Sequence, residues 1–285
     1  MKLNSLDAIS PIDGRYHKKT KELQDYFSES SLIKYRIKVE IEYFIALCEF
    51  SLKELEDFPK EKFSELRKVY SEYTNESANK IKEIESVTNH DVKAVEYFIK
   101  DEFDKLGISK YKEFIHFGLT SQDINNTAVP MSIQDAFNNV IMRELDDILN
   151  KLRVLSERWK DIPMLARTHG QPASPTRLGK EINVFIERLD IQIKLIRNVG
   201  FSGKFGGATG NFNAHHIAYP CYKWQEFSNN FLENKLGLIR QKTTTQIEHY
   251  DNLSALMDNM KRINIILIDL CQDIWNYISM DYFKQ

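Results

Sequence analysis

From Ser121 to about Lys160, apolar residues return at every third or fourth position, through Leu145, Ile148, Leu149, Leu152 and Leu155, and Pro130 is the one visible interruption. That spacing reads as a single very long amphipathic helix, kinked near the proline. Two further long helices are expected at roughly 175–199 and 250–282, the last carrying Leu253, Met257, Ile263, Ile266, Leu270, Ile274 and Tyr277. A helix of about 40 residues spans roughly 60 Å, whereas a compact chain of this length should measure only about 50 Å across. The fold is therefore expected to be elongated. Long apolar faces with too little chain to cover them predict burial against other copies, in a homo-oligomer sharing a helical core.

The rest of the chain obeys the same period. Only 11 Gly and 7 Pro punctuate its 285 residues, and period-two alternation is scarce. The stretch SESSLIKYRIKVEIEYFIALCEF offers Ser30 or Ser31 as a cap and sets Leu32, Tyr35, Val39 and Ile45 on a broad apolar face. Shorter helices are expected at about 60–72, 76–87 and 90–106.

Charge and cysteine usage exclude several classes. The 39 basic and 41 acidic residues give a formal charge of -2, so nothing argues for nucleic acid or an anionic membrane, and any anion site must be local. Cys48, Cys221 and Cys271 are too few and too far apart for a disulfide framework or a zinc motif, and are expected to be buried packing residues in a reducing compartment. The N-terminal stretch lacks a signal-peptide core and no 18-residue apolar run occurs, so a cytoplasmic location is expected.

Five short polar stretches fall at helix ends or loops: DGRY (Asp13–Tyr16), TNHD (Thr88–Asp91), HFGLTSQD (His116–Asp123), RTHGQ (Arg167–Gln171) and TTTQIEH (Thr243–His249). Singly, each has a plain explanation. Thr88 or Asn89 would cap one helix, and Thr120 or Ser121 the next. A capped start also turns free N–H groups and partial positive charge outward, which suits a carboxylate or phosphate, and both readings can hold at once. His90, His116 and His169 all fall in these stretches, which points to proton transfer. No HExxH, GxSxG or GxGxxG occurs, so zinc hydrolases, serine hydrolases and dinucleotide enzymes are poorly supported. GFSGKFGGATGNFNAHHIAYP holds five of the glycines and reads as a loop, either a ligand-approaching segment or a connector.

Taken together, SPIDGRY, TNHDVKAVEYF, EFIHFGLTSQDIN, RTHGQPASP, GATGNFNAH and TTTQIEHYD, in this order, resemble the adenylosuccinate lyase family of the fumarase, aspartase and argininosuccinate lyase superfamily. The resemblance covers nearly the whole chain. It implies a β-elimination that releases fumarate from adenylosuccinate, giving AMP, and from the succinylated aminoimidazole carboxamide ribotide, giving AICAR. Such chemistry requires a base for a carbon-bound proton, donors for a dianionic intermediate, and an acid for the departing nitrogen.

Position by position, the resemblance makes His169 the general acid. Thr168 and Gln246 would hold the succinyl part, and Thr120 with Ser121 a carboxylate. Arg15 and Tyr16 would meet the phosphate end of the nucleotide, where a guanidinium fork suits a dianion. Asn89, His90 and Asp91 match a further binding stretch, and His116 a histidine near the phosphate or supporting the acid. Lys204 is left outside the set. The family implies a homotetramer with active sites shared among subunits, a purine nucleotide substrate, and no metal or organic cofactor.

The implied fold is mostly α, with a small helical domain over residues 1–111 and part of an elongated central bundle over 112–285. The family's mobile loop of the form Gly-Ser-Ser-X-Met-Pro-X-Lys-X-Asn-Pro, whose serine is the implied base, does not occur before Gln285. A truncated chain is therefore expected, inactive alone. The competing readings are a sister lyase acting on argininosuccinate and a non-catalytic helical scaffold.

Overall fold

The computed structural model describes residues 6–285; Met1–Ser5, part of the N-terminal stretch read above, lie outside the described residues. In chain order the helices are α1 (His17–Thr20), α2 (Gln24–Phe27), α3 (Glu29–Glu49), α4 (Phe63–Ser71), α5 (Asn75–Thr88), α6 (Asp91–Lys105), α7 (Ser121–Ala136), α8 (Met142–Arg158), α9 (Leu178–Arg197), α10 (Asn213–Ala218), α11 (Trp224–Asn230) and α12 (Asp251–Ser279). Strands β1 (Pro163–Thr168) and β2 (Gln171–Arg177) pair antiparallel, and β3 (Ser202–Gly203) pairs parallel with β4 (Ile239–Arg240). The fold is mostly α, as the spacing of apolar residues requires.

Two compact units divide the chain. The first comprises the described residues to Val140 together with Phe201–His249. Helix α3 is its centre. Ile37, Val39, Ile41, Tyr43, Phe44, Ile45 and Leu47 are all fully buried, so this helix is enclosed on every side instead of showing one apolar face. Each large side chain withdrawn from water there contributes on the order of 2 kcal/mol. Ser28, not Ser30 or Ser31, is the cap: its hydroxyl accepts from the Ser31 N–H at 3.1 Å. Residues on both sides of position 111 share this core, Tyr111 and Phe103 packing with Ile124 and Ala128 in one cluster. The compact units thus follow a different partition from the one expected at residue 111.

The second unit comprises Ile141–Gly200 and Tyr250–Gln285. Here α8, α9 and α12 bury Leu145, Leu149, Leu152, Ile182, Leu189, Ile263 and Ile266. Two expectations need correction. Pro130 sits inside α7 without ending it, and the interruption comes later, as a π-helical turn over Phe137–Ile141. The first three residues of the expected helix at 175–199 belong instead to a β-hairpin, and α9 starts only at Leu178. Pro172 and Pro175 have no N–H to give a ladder, which edge strands tolerate. Of the cysteines only Cys48 is buried; Cys221 and Cys271 are exposed.

Candidate active site

Charged groups inside α3 organise the polar stretches of the first unit. Arg36, Glu40 and Tyr43 recur at four and three residues, on one stripe of the helix. Arg36 donates to the Asp91 carboxylate at 2.6 Å and to the Asn125 side-chain oxygen at 2.9 Å, joining the start of α6 to the first turns of α7. Burial alone would raise the Asp91 carboxyl, but the Arg36 charge, the Val92 N–H and the Arg36 hydrogen bond hold it below the usual carboxylate value. At neutral pH it is ionised.

The TNHD stretch is a helix-to-helix joint. Asn89 closes α5 in the left-handed region at φ 51°, a conformation asparagine tolerates. His90, and not Thr88 or Asn89, caps α6, its Nδ1 accepting from the Lys93 N–H at 3.1 Å. Both Asn89 and His90 are exposed.

His116 opens the next stretch with φ 58°, and its Nδ1 lies 2.6 Å from the Glu40 carboxylate. Burial would lower the imidazole, but the charge and hydrogen bond of Glu40, aided by Glu96 and Asp123, raise it above its ordinary value. The Tyr43 hydroxyl donates to the Phe117 carbonyl at 2.7 Å and lies 3.0 Å from His215 Nε2. With the tyrosine's one proton committed, His215 must donate its Nε2–H. Gly118, at φ 68°, lies so close that a Cβ there would come within 2.8 Å of the His215 ring. Neither the backbone nor the space admits another residue at that position.

Thr120 is the cap of α7, with Asp123 completing a capping box, and Ser121 is its first residue. Asp123 is fully buried. Its two oxygens accept from the Thr120 N–H at 2.9 Å, the Gly206 N–H at 2.8 Å, the Gly207 N–H at 3.0 Å and the Lys204 ammonium at 2.8 Å. The glycine-rich loop is thereby fastened to the start of α7, and residues 202–207 are buried. Lys204 faces Asp123, not solvent. Gln246 is exposed on a segment tied to α7 through the Glu248 N–H, which donates to the Asn126 side chain at 2.9 Å.

The structure thus gathers Asn89–Asp91, His116, Thr120, Ser121 and the segment bearing Gln246 around α3 and α7. Arg15 and Tyr16 stand in a turn-rich segment before α1, both exposed, the guanidinium 5.7 Å from the Tyr16 ring. Among the described residues no hydrogen bond joins either side chain to the set. In the second unit Thr168 ends β1 and pairs with Gln171 at the head of β2, so His169 and Gly170 form the two-residue hairpin turn, at φ 51° and 75°. Left-handed values at both positions are those of the turn that suits a twisted hairpin. The Arg167 side chain donates to the Gly170 carbonyl at 3.0 Å and stacks on Tyr282, whose hydroxyl donates to the Leu165 carbonyl at 2.8 Å. His169 itself is exposed at the tip.

A family model described as "Lyase" matches residues 14–285. The chain belongs to the lyase family. It is 56% identical over 292 residues to the adenylosuccinate lyase of Dictyostelium discoideum, and 40% identical over 287 residues to that of Escherichia coli strain K12. In both cases all of this chain is covered and 63% of the relative, so the chain spans 63% of the length of these curated relatives. Among solved structures it resembles a fumarate lyase from Mesorhizobium sp. BNC1, with TM-score 0.74 at 18% identity over 91% of this chain and 57% of the other. It also resembles the 3-carboxy-cis,cis-muconate lactonizing enzyme from Pseudomonas putida, with TM-score 0.70 at 18% identity over 90% and 56%. Those two likenesses establish the helical fold.

The residues that hold the polar set in this chain escaped the sequence reading. Arg36, Glu40, Tyr43 and Asp123 touch the candidate residues and fix their geometry. For the three on α3 the signal was present in KYRIKVEIEYF, where charges recur inside an otherwise apolar helix and therefore require buried partners, whereas Asp123 stood in the quoted HFGLTSQD stretch without being singled out. Among the described residues no group of three His, Cys, Asp or Glu is placed to hold a metal ion.

Proposed function

We propose that the whole protein is an adenylosuccinate lyase, which eliminates fumarate from adenylosuccinate and from the succinylated aminoimidazole carboxamide ribotide. The observation that carries this reading is 56% identity to an adenylosuccinate lyase along the entire chain. His169 protonates the departing nitrogen from an exposed turn where the ring is free to reach substrate. Thr168 and Gln246 hold the succinyl group, Thr120 and Ser121 take a carboxylate at the positive end of α7, and Arg15 with Tyr16 takes the phosphate. Asn89, His90, Asp91 and His116 complete the pocket. No base is assigned among the residues of this chain, and no step needs a metal or organic cofactor.

Residues from separate copies complete each site in this reading, which calls for a homotetramer in the cytoplasm. Support comes from α12, where Met257, Ile265, Ile268 and Trp275 are exposed at 52%, 49%, 64% and 66%. A row of large apolar side chains at helical spacing is costly in water and favours burial against another chain. Domains divided near residue 111 are proposed for the full-length protein.

Fumarate release from adenylosuccinate by the whole protein tests the activity, with argininosuccinate as the competing substrate. His169→Asn is expected to reduce turnover by about 100-fold or more. Preference for argininosuccinate, or full turnover by H169N, would remove the assignment.

A further inference from the structure

Glu40 is wholly buried near the middle of α3, and the only hydrogen bond its carboxylate makes among the described residues is the 2.6 Å contact to His116 Nδ1. Its second oxygen is buried without a partner. Burying an ionised carboxylate with one contact costs several kcal/mol unless that contact is cationic. The backbone beside the ring is anchored to the same helix, where the Tyr43 hydroxyl donates to the Phe117 carbonyl at 2.7 Å. The other acidic groups near the ring add to its positive bias, but each has cationic partners of its own. Glu96 of α6 pairs with Lys93 at 2.8 Å and Lys100 at 3.1 Å, and Asp123 of α7 pairs with Lys204 at 2.8 Å. Nε2, on the far edge of the ring, has no hydrogen-bond partner among the described residues, and the side chain keeps 17% exposure.

We propose that Glu40 is a positioning residue for His116: it fixes the ring with Nδ1–H turned inward and holds it as an imidazolium, so that Nε2–H is offered to an anionic oxygen of the ligand. The identity of that ligand as a purine nucleotide rests on the function proposed above. An uncharged partner would orient the ring equally well but would not keep it charged. That difference separates positioning from packing.

Nitrogen-15 NMR of the histidine rings, titrated from pH 5 to pH 9 with and without AMP as the probe, tests the proposal. In the native chain the His116 midpoint is expected above 6.5, with Nδ1–H kept in the neutral form and Nε2 shifted by AMP. Glu40→Gln should lower the midpoint and weaken AMP binding about tenfold at pH 7.5, as loss of a charge-assisted hydrogen bond implies. Glu40→Asp, which keeps the charge, should raise the midpoint again and restore the affinity to within about threefold. A neutral Nε2–H form in the native chain, a midpoint at or below 6.5, no AMP effect on Nε2, or unchanged affinity in E40Q would each overturn it. The native ring's form and midpoint need no variant, so a misfolded E40Q leaves the proposal open to refutation. Failure of the whole protein to cleave adenylosuccinate would sink the proposed function while leaving both ring readouts intact.

Discussion

His215 illustrates how one buried side chain couples protonation to folding. Its Nε2–H is committed to Tyr43, its Nδ1 is buried without a partner, and Phe117, Phe212 and Trp224 surround the ring. Burial, only partly opposed by Asp123, lowers its pKa to about 4. An unfolded chain binds this proton near pH 6.5 and the folded one only near 4, so the neutral ring's contribution is full above 6.5 and disappears as pH falls through that window. At roughly 1.4 kcal/mol per pH unit, the loss is about 3 kcal/mol. Urea denaturation at pH 7 and pH 4.5, followed by tryptophan fluorescence, should show this drop in the native chain and a flatter pH dependence in His215→Phe. His116 has the opposite sign: its raised value adds stability that is complete below 6.5 and lost as pH rises through the folded midpoint. The sequence singled out His116 by its place at a boundary and passed over His215, because nothing local distinguishes a histidine whose partners lie 172 and 97 residues away, at Tyr43 and Gly118.

At the scale of elements, the first turn of α7 and the glycine-rich loop form a single device held by Asp123 and Lys204. Removing one member of a buried ion pair strands the other charge, so Lys204→Met is expected to destabilise the chain by about 3 kcal/mol or more. Adding Asp123→Asn should recover part of that loss, and a double-mutant cycle by urea denaturation measures the coupling. Equal and additive losses would argue against the pairing. The long helices α7, α8, α9 and α12 were legible within a few residues because their stripes repeat over many turns. The hairpin was not, since β1 and β2 lack alternation and carry prolines that read as loop. The π-helical turn at Phe137–Ile141 was equally silent, because a helix widened for one turn keeps its composition, whereas Pro130 announces a break that α7 absorbs.

For the whole molecule, the exposed apolar residues of α12 make association testable without any substrate. Trp275→Glu places a charge on the most exposed large side chain of that face and is expected to shift the mass of the proposed tetramer to a smaller one in light scattering, with helical content kept. An unchanged mass would remove α12 from the interface. Oligomerisation was inferred from helix length against chain length. Which side chains stay uncovered was not, because Ile263 and Ile266 are buried while Ile265 and Ile268 of the same helix are exposed. The His169 turn bears on the history of such an assembly. Asparagine enters the left-handed region as readily as histidine, so one substitution at the hairpin tip removes the proposed proton donor and leaves the hairpin undisturbed. Selection for a well-folded, assembling chain therefore offers no protection to that imidazole. Only selection for turnover preserves it, and a lineage released from that demand would pass to a silent scaffold in a single step.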